Sequence, residues 1–253
     1  MKFQGKTAIV TGAASGIGAA AALRLAKEGA SVFAVDVNEA GLAETAETAA
    51  KGGHFVKTRA CDVSVEADVE SAVGHALAIN GRIDTLVNVA GVSVTRYVAE
   101  TSWREYARMM DVNMGGVFLF TRAVLPRMEK QQSGAIVNVA SELAFVGYPD
   151  IAAYTATKGA VIAFSRSVAL DAIRYGVRVN CLCPGAADTP MFWDGVTDPE
   201  QRQKMLDQVK IEKPFGRLVT MEEVSNGIVF LASDDASAVV GANLVMDGGF
   251  IIQ

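Results

Sequence analysis

Two reactive residue types are scarce in this sequence, which has three cysteines and two histidines among 253 residues. Cys61, Cys181 and Cys183 form no C-x-x-C pair. We therefore expect neither a disulfide framework nor a zinc site, and a reducing cytoplasm is the expected location. His54 begins a predicted strand and His75 lies in a predicted helix, so no histidine is placed for a Ser–His–Asp hydrolase.

Long apolar runs and an excess of positive charge are also missing. No segment reaches the roughly 18 consecutive apolar residues of a membrane span. The opening MKFQGKTAIVTG holds no apolar stretch of signal-peptide length. The formal net charge is −5, and the basic residues form no stripe. We therefore expect no nucleic-acid partner and no membrane partner.

What the sequence does have is a regular alternation of β-branched runs with longer helical patterns. The predicted strands are KTAIVT (6–11), SVFAVDV (31–37), HFVKTRA (54–60), RIDTLVN (82–88), GAIVNVA (134–140), VRVNCL (177–182) and ANLVMD (242–247). The predicted helices lie near 17–28, 39–51, 65–80, 102–130, 152–175 and 221–233. This alternation predicts one α/β domain over 1–253, a Rossmann-type doubly wound parallel sheet of about seven strands with helices on both faces.

One connection in this pattern is unusually long. Residues 186–215 separate the sixth predicted strand from the next long helix, and they include a short amphipathic pattern from about Pro199 to Val209. Long connections in compact domains are usually binding loops or lids. We predict a substrate lid here, and the alternative is packing against another subunit.

The first predicted strand runs into TGAASGIG, where Gly12, Gly16 and Gly18 open an Ala-rich helix. Glycines let the backbone approach a pyrophosphate, and a helix N-terminus offers free N–H groups to it. Asp36 closes the second strand, where a carboxylate can accept both hydroxyls of a ribose and repel a 2′-phosphate. Because no Lys or Arg neighbours it in DVNEAG, NAD(H) is predicted over NADP(H). The alternative is that Asp36 caps the following helix.

Further polar residues follow the predicted strands at the same edge. Asp62 follows the third strand, Asn88 closes the fourth and Ser141 follows the fifth. Ligands of open parallel sheets bind at this edge, so the pattern indicates a site. Each residue also has a structural interpretation, with Asp62 and Ser141 as caps and Asn88 as a partner of buried backbone groups. Tyr154 and Lys158, in AYTATKGA, are spaced to share one helix face.

These motifs resemble the compact, single-domain branch of the short-chain dehydrogenase/reductase family over essentially the whole chain. In chain order the matching motifs are TGAASGIG, CDVS, LVNVAG, DVNMGG, IVNVAS, YTATK, RVNCLCPG with Thr189 and Pro190, and MDGG. The resemblance implies a catalytic set of Asn113, Ser141, Tyr154 and Lys158. It also implies a cofactor site made of Gly12, Ser15, Gly16, Ile17, Gly18, Asp36, Asp62, Val63, Asn88, Ala90, Gly91, Tyr154, Lys158, Pro184, Gly185, Ala187 and Thr189.

The sequence departs from the family pattern at two places. Val89 stands where the strand-four motif usually has a second asparagine that helps tie the central sheet together. Ala187 stands where the family often has a bulky aliphatic residue, so we expect a roomier nicotinamide pocket. The resemblance further implies a homotetramer that associates through its two long helices and its C-terminal region.

The expected chemistry is hydride transfer coupled to proton transfer. Tyr154 would exchange a proton with the substrate oxygen, and the positive charges of Lys158 and of nicotinamide would lower the pKa of its phenol from about 10. Ser141 would hydrogen-bond the substrate oxygen. The family resemblance adds that Lys158 holds the nicotinamide ribose and that Asn113 holds a water that relays protons.

The expected substrate wall is largely apolar, and its members are Val92, Val94, Tyr97, Leu143, Phe145, Tyr148, Met191, Phe192 and Trp193. Such a wall suits a medium-sized or cyclic, weakly charged secondary alcohol or its ketone. The enzyme expected is therefore an NAD-dependent alcohol dehydrogenase or ketone reductase without a metal. The alternatives are an extended sugar-nucleotide epimerase or dehydratase, an NADPH-dependent reductase of carrier-bound 3-oxoacyl groups, and a non-catalytic NAD-binding protein.

Overall fold

The computed structural model describes residues 1–253 and contains one seven-stranded, all-parallel sheet. The strands are β1 (Thr7–Thr11), β2 (Ser31–Asp36), β3 (Val56–Ala60), β4 (Thr85–Asn88), β5 (Gly134–Val139), β6 (Val177–Pro184) and β7 (Asn243–Met246). Their order across the sheet is β3-β2-β1-β4-β5-β6-β7. The order reverses between β1 and β4, which is the switch point of a doubly wound fold. The predicted Rossmann-type α/β architecture is confirmed.

Eight α-helices connect these strands. They are α1 (Gly16–Lys27), α2 (Glu39–Lys51), α3 (Glu66–Asn80), α4 (Trp103–Met110), α5 (Gly116–Gln131), α6 (Ala152–Ala172), α7 (Pro199–Glu212) and α8 (Met221–Ala232). Most lie within one or two residues of the predicted bounds. Helix α7, however, runs three residues beyond Val209, and its last residue, Glu212, belongs to the site described below. None of the helices is long and apolar enough to cross a membrane.

The sheet carries a separate hydrophobic layer on each face, because successive side chains of a strand point to opposite sides. On one face Val10 of β1 belongs to a cluster with Leu25 of α1 and Ile228 of α8. On the other face Ile9 belongs to a cluster with Phe120 of α5. Burial on both faces accounts for the nearly continuous apolar runs of the strands.

The three cysteines are part of this core. All of them are buried and free. Burial raises the pKa of the Cys61 and Cys183 thiols to about 12, so both stay protonated at neutral pH. Cys181 and Cys183 pack with Val161 of α6 in a small third cluster.

The single long helix predicted over 102–130 is interrupted. A five-residue π-helical turn, Asp111–Gly115, separates α4 from α5. Such turns are often found at functional sites, and this one contains Asn113. Just after it Gly116 packs so closely on Val63 that an added Cβ would lie 2.7 Å from Val63 Cγ2.

Polar side chains tie the centre of the sheet together. Asn88 donates from Nδ2 to Oδ1 of Asn138 on β5 at 2.8 Å, and Asn138 donates in turn to Ser165 of α6 at 2.8 Å. The hydroxyl of Thr11 accepts the backbone N–H groups of Val89 and Ala90 at 3.0 and 3.1 Å. Residue 89 is therefore tied to β1 by its backbone, which does not depend on the side chain that Val89 replaces.

Candidate active site

A cavity of about 700 Å³ opens along the carboxyl edge of the sheet. Its lining includes, among the residues predicted for the site, Gly12, Ser15, Gly16, Ile17, Gly18, Asp36, Asp62, Val63, Ala90, Gly91, Val92, Ser141, Leu143, Tyr148, Tyr154, Lys158, Pro184, Gly185, Ala187, Thr189, Met191 and Phe192. The structure thus gathers residues from most of the chain around one space. We call the part near Asp36 and Asp62 the glycine-loop end and the part near Tyr148 and α7 the α7 end.

Six predicted residues lie outside the cavity lining, which are Asn88, Val94, Tyr97, Asn113, Phe145 and Trp193. Asn88 is buried, and its amide donates to the side chain of Asn138 rather than to the backbone groups of the structural interpretation. Val94 lies between Ser93 and Thr95, and both of those residues line the cavity. Tyr97 is more than half exposed.

Trp193 is turned away from the cavity by contacts on its own segment. Its indole N–H donates to Asp188 at 2.6 Å, and Arg202 lies over its ring at 5.1 Å from the centroid. Phe192 meets the indole edge to face and occupies the position on the cavity side. The expectation that both aromatic rings form the wall is therefore corrected.

The glycine loop is closely packed on its neighbours. A Cβ on Gly18 would lie 2.0 Å from the carbonyl oxygen of Gly12, and a Cβ on Gly12 would lie 2.8 Å from the backbone of Ala90. Helix α1 begins directly behind the loop, and the side chain of its N-cap Ser15 makes no capping hydrogen bond. The first N–H groups of α1 therefore face a cradle that only glycines can form, and this donor set fits a pyrophosphate.

Asp36 is fixed by backbone donors at the glycine-loop end. Its carboxylate accepts the N–H of Ala14 at 3.1 Å and the N–H of Asn38 at 3.0 Å. The N-cap of α2 is Asn38, whose side chain accepts the N–H of Gly41. The alternative that Asp36 caps this helix is wrong. No cation forms an ion pair with Asp36, so its acceptors are available to ribose hydroxyls.

Asp62 lies beside Val63 at the same end. Its Oδ1 accepts from both the hydroxyl and the N–H of Ser64, at 2.6 and 2.9 Å. These bonds, with a smaller effect from the charge of Arg108, hold the pKa of Asp62 below its usual value. The N-cap of α3 is Val65, so Asp62 closes a local turn rather than capping the helix.

Ser141, Tyr154 and Lys158 meet at the middle of the cavity. Ser141 follows β5, and its hydroxyl accepts the N–H of Leu143 at 3.2 Å, which caps the short turn over 142–144. Tyr154 and Lys158 lie in the first two turns of α6. Lys158 Nζ is 5.7 Å from the centre of the Tyr154 ring and donates to the carbonyl of Val139 at 2.9 Å.

Burial dominates the ionisation of both groups. It raises the pKa of Tyr154 to about 12, although a hydrogen bond with Ser141 acts in the opposite direction. Burial lowers the pKa of Lys158 to about 8. The protein groups alone therefore keep Tyr154 a neutral phenol at pH 7. The lowering expected from Lys158 does not offset the cost of placing a phenolate in this site.

Asn113 does not line the cavity, and its side chain links the backbone of Val92 to Thr157 of α6. Its side chain accepts the N–H of Val92 at 2.7 Å and donates to the carbonyl of Val92 at 2.9 Å. Its second N–H donates to Thr157 at 3.0 Å, and the hydroxyl of Thr157 donates to the carbonyl of Tyr154 at 2.7 Å. Both amide donors are thus used within the protein. The side chain thereby positions α6, and the relay water that the family resemblance assigns to Asn113 stays a prediction.

The α7 end contains residues that the sequence pattern did not identify. Ile151, Met205 and Val209 add apolar lining, and Gln208 and Glu212 add polar groups. Three of these five lie within the predicted 199–209 helical pattern. Their direction could not be predicted because the 186–215 segment has no fixed register against the sheet.

A buried ion pair also lines this end. Glu142 and Lys213 are in contact, and their side chains are only 5% and 8% exposed. Burial raises the pKa of Glu142, the charge of Lys213 opposes that effect, and Asp247 reinforces it. The Lys213 ammonium also lies 3.1 Å from the centre of the Phe250 ring. Since 71 residues separate Glu142 from Lys213, no sequence motif indicates the pair.

Comparisons with known proteins give a consistent result. A family model described as enoyl-(acyl carrier protein) reductase matches residues 12–251. The 2-(R)-hydroxypropyl-CoM dehydrogenase of Xanthobacter autotrophicus is 41% identical over 250 residues, covering 97% of this chain and 98% of the relative. The cyclopentanol dehydrogenase of a Comamonas species is 40% identical over 248 residues, covering 97% and 96%.

Solved structures agree with these matches. Levodione reductase is 35% identical and has a TM-score of 0.94, with 98% of each chain covered. Similar solved structures also include complexes with NADPH and NADP.

Proposed function

The chain belongs to the short-chain dehydrogenase/reductase family, and we propose from this premise that it is an NAD-dependent secondary-alcohol dehydrogenase or ketone reductase. That it is an oxidoreductase acting on alcohols or ketones follows from its relatives. The proposal adds the cofactor, the residues and the substrate class. It treats 1–253 as one catalytic unit and 186–215 as its lid. A cytoplasmic location and a homotetramer stay predictions.

One observation carries the proposal, which is that Ser141, Tyr154 and Lys158 line the same cavity as the glycine cradle. When bound, nicotinamide accepts or supplies the hydride. Tyr154, a phenol at neutral pH, is suited to give its proton to the oxygen of a ketone, and it takes that proton back when an alcohol is oxidised. Ser141 lies beside the phenol, where its hydroxyl can bind the same substrate oxygen.

Lys158 supports this proton transfer by position and charge. With a pKa near 8 it is mostly protonated at pH 7, and its ammonium is held by Val139 close to the ring of Tyr154. The ammonium therefore favours the phenolate each time the proton leaves. Asn113, through Thr157, fixes the backbone at Tyr154 and so acts as a positioning residue.

Asp36 supports NAD over NADP. Its carboxylate lines the cavity, is held by two backbone N–H groups and has no cationic partner. A ribose with two free hydroxyls would be accepted there, and a 2′-phosphate would be repelled. Steady-state kcat/KM values with NAD and with NADP test this preference directly.

The largely apolar lining supports a medium-sized or cyclic, weakly charged substrate. Cyclopentanol dehydrogenase, one of the similar proteins, carries the name of a small cyclic alcohol. A panel of linear and cyclic secondary alcohols, followed by absorbance of the reduced nicotinamide, tests the class. Activity confined to polyanionic substrates would refute it.

A second candidate function is the reduction of carrier-bound 3-oxoacyl groups with NADPH. The description of the matching family model favours a carrier-bound substrate, although it names an enoyl group rather than a 3-oxoacyl group. The carboxylate of Asp36 argues against it, because NADPH carries the 2′-phosphate. Turnover of acetoacetyl-CoA with NADPH, faster than turnover of any free ketone, would establish this function instead.

The decisive experiment replaces Tyr154 by Phe. Loss of a general acid–base typically costs a factor of about 10² to 10⁴ in rate. We expect Tyr154→Phe to lose turnover while NAD binding, measured by calorimetry, is retained. Tyr97→Phe is the matched control, because Tyr97 is exposed and does not line the cavity. Substantial activity in a folded Tyr154→Phe enzyme would refute the mechanism. If the unaltered protein binds NAD but turns over none of the substrates, its role is non-catalytic.

A further inference from the structure

The cationic side chains that line the cavity already interact with other groups of the protein. The only cationic side chains of the lining are Arg108, Lys158 and Lys213. The charge of Arg108 lowers the pKa of Asp62 at the glycine-loop end. Lys158 donates to the Val139 carbonyl, and Lys213 is paired with Glu142. No cation at the α7 end is therefore free to bind an anionic ligand.

Glu212 is in the opposite situation. It lines the cavity and forms no ion pair with any Lys, Arg or His. Its partners are neutral: the Tyr148 hydroxyl donates to its two oxygens at 3.3 and 3.0 Å, and Gln208 Nε2 donates at 2.6 Å. A carboxylate has about four acceptor sites, so these bonds fix its direction without exhausting its capacity.

The groups around Glu212 also hold its side chain and the end of its helix in place. Burial and the contact with Glu212 raise the pKa of Tyr148, so its hydroxyl remains a donor. Glu212 is also the last residue of α7, and a helix C-terminus carries partial negative charge that favours a cation or a donor. The Gln253 side chain donates to the Glu212 carbonyl at 2.9 Å and so fastens the end of the helix.

We infer that Glu212 determines specificity by binding a hydrogen-bond donor or positive charge that the substrate carries away from its reacting carbon. Hydroxylated or amino-substituted secondary alcohols are thus favoured, and alcohols bearing a carboxylate or phosphate are disfavoured. The inference rests on the proposed function only in calling the ligand a substrate. It also refines the prediction of an apolar substrate wall, because at the α7 end the wall includes one hydrogen-bond acceptor of fixed direction, the Glu212 carboxylate.

The first test measures binding and does not require turnover. Dissociation constants of cyclohexylmethylamine and cyclohexanecarboxylate are determined by calorimetry on the protein saturated with NAD. We expect the amine to bind about tenfold more tightly, which corresponds to about 1.4 kcal/mol. Glu212→Gln should bring the ratio close to one, and Glu212→Asp, which keeps the charge but shortens its reach, should give an intermediate ratio.

Glu200→Gln is the matched control, since Glu200 is exposed in the first turn of the same helix and does not line the cavity. It should leave the ratio unchanged. An unchanged ratio in Glu212→Gln, or tighter binding of the carboxylate by the unaltered protein, would overturn the inference. Unfolding temperatures of the variants establish that each is folded.

The second test measures kcat/KM for four alcohols that share one reacting carbon, which are 2-pentanol, 1,4-pentanediol, 5-amino-2-pentanol and 4-hydroxypentanoate. We expect the amino alcohol and the diol to exceed 2-pentanol, and the hydroxy acid to be poorest. Glu212→Gln should reduce the differences in kcat/KM among the four alcohols. Turnover with no dependence on Glu212 would refute the inference alone, whereas Glu212-dependent binding without any turnover would refute the proposed function alone.

Discussion

The two ends of the cavity are held together by different kinds of contact. At the glycine-loop end Asp36 bonds to backbone N–H groups, one of them only two residues away. At the α7 end side chain meets side chain across 71 residues for Glu142 and Lys213, and across 64 for Tyr148 and Glu212. A site built on backbone geometry admits few sequences, whereas a site built from distant side chains can change with a few substitutions.

The strongest test of this comparison is Gly18→Ala. An added Cβ would lie 2.0 Å from the Gly12 carbonyl, so the loop must open or α1 must shift. We expect NAD affinity to fall about 100-fold or more, which corresponds to about 2.7 kcal/mol, measured by calorimetry. In α3, Gly74 has open space around it, and Gly74→Ala should keep its affinity and gain about 0.5–1 kcal/mol of stability. Equal affinities in the two variants would show that the cradle is not tight.

At the α7 end the largest expected effect comes from Lys213→Met. This change leaves Glu142 buried without its cation, which costs about 3–5 kcal/mol. For a chain of this size the unfolding temperature should fall by about 10 °C. The double variant Lys213→Met with Glu142→Gln should recover most of that loss. A double variant as unstable as Lys213→Met alone would contradict the pairing.

The same variant gives a pH dependence. Burial raises the pKa of Glu142 in the folded protein. At pH values between the ordinary glutamate pKa and this raised pKa, the folded state therefore holds more of the proton than the unfolded state does. Stability therefore falls as pH rises from the ordinary glutamate value through the raised one. Without Lys213 the pKa rises further. The loss of unfolding temperature in Lys213→Met, relative to the unaltered protein, should be larger at pH 8 than at pH 5.

A moderate effect is expected for Asp36→Ala at the glycine-loop end. Removing the carboxylate removes the repulsion of a 2′-phosphate, so the ratio of kcat/KM for NADP to that for NAD should rise about tenfold, or about 1.4 kcal/mol. Glu39→Ala removes an exposed carboxylate from the first turn of α2 and should leave the ratio unchanged. If both variants give the same NADP-to-NAD ratio of kcat/KM, the cofactor preference depends on the net charge of the protein and not on the position of Asp36.

The smallest effect is expected for Trp193→Ala. Because the indole faces Asp188 and Arg202 rather than the cavity, kcat/KM should change by less than about twofold, or about 0.4 kcal/mol. Phe192→Ala removes a ring that lines the cavity and should lower kcat/KM by raising KM. Equal losses in both variants would place Trp193 in the wall after all.

The sequence predicted the doubly wound parallel sheet, the glycine loop and the grouping of Ser141, Tyr154 and Lys158 at one edge of the sheet. These features depend on local patterns and on where parallel strands end. It did not predict which way Trp193 points, or that Glu212 reaches the cavity, because both depend on where a long connection lies. The interruption at Asn113 was also missed, since a single extra residue in a helical turn leaves the apolar pattern nearly intact.

The contact between Glu142 and Lys213 has a consequence for divergence. Glu142 directly follows Ser141, while Lys213 directly follows the last residue of α7. A descendant of this chain that loses one charge keeps an unpaired ion beside its reaction centre until the other is also replaced. Positions 142 and 213 should therefore change together during evolution, and a transplanted 186–215 segment, which carries Lys213, will fit a new host only if residue 142 accompanies it.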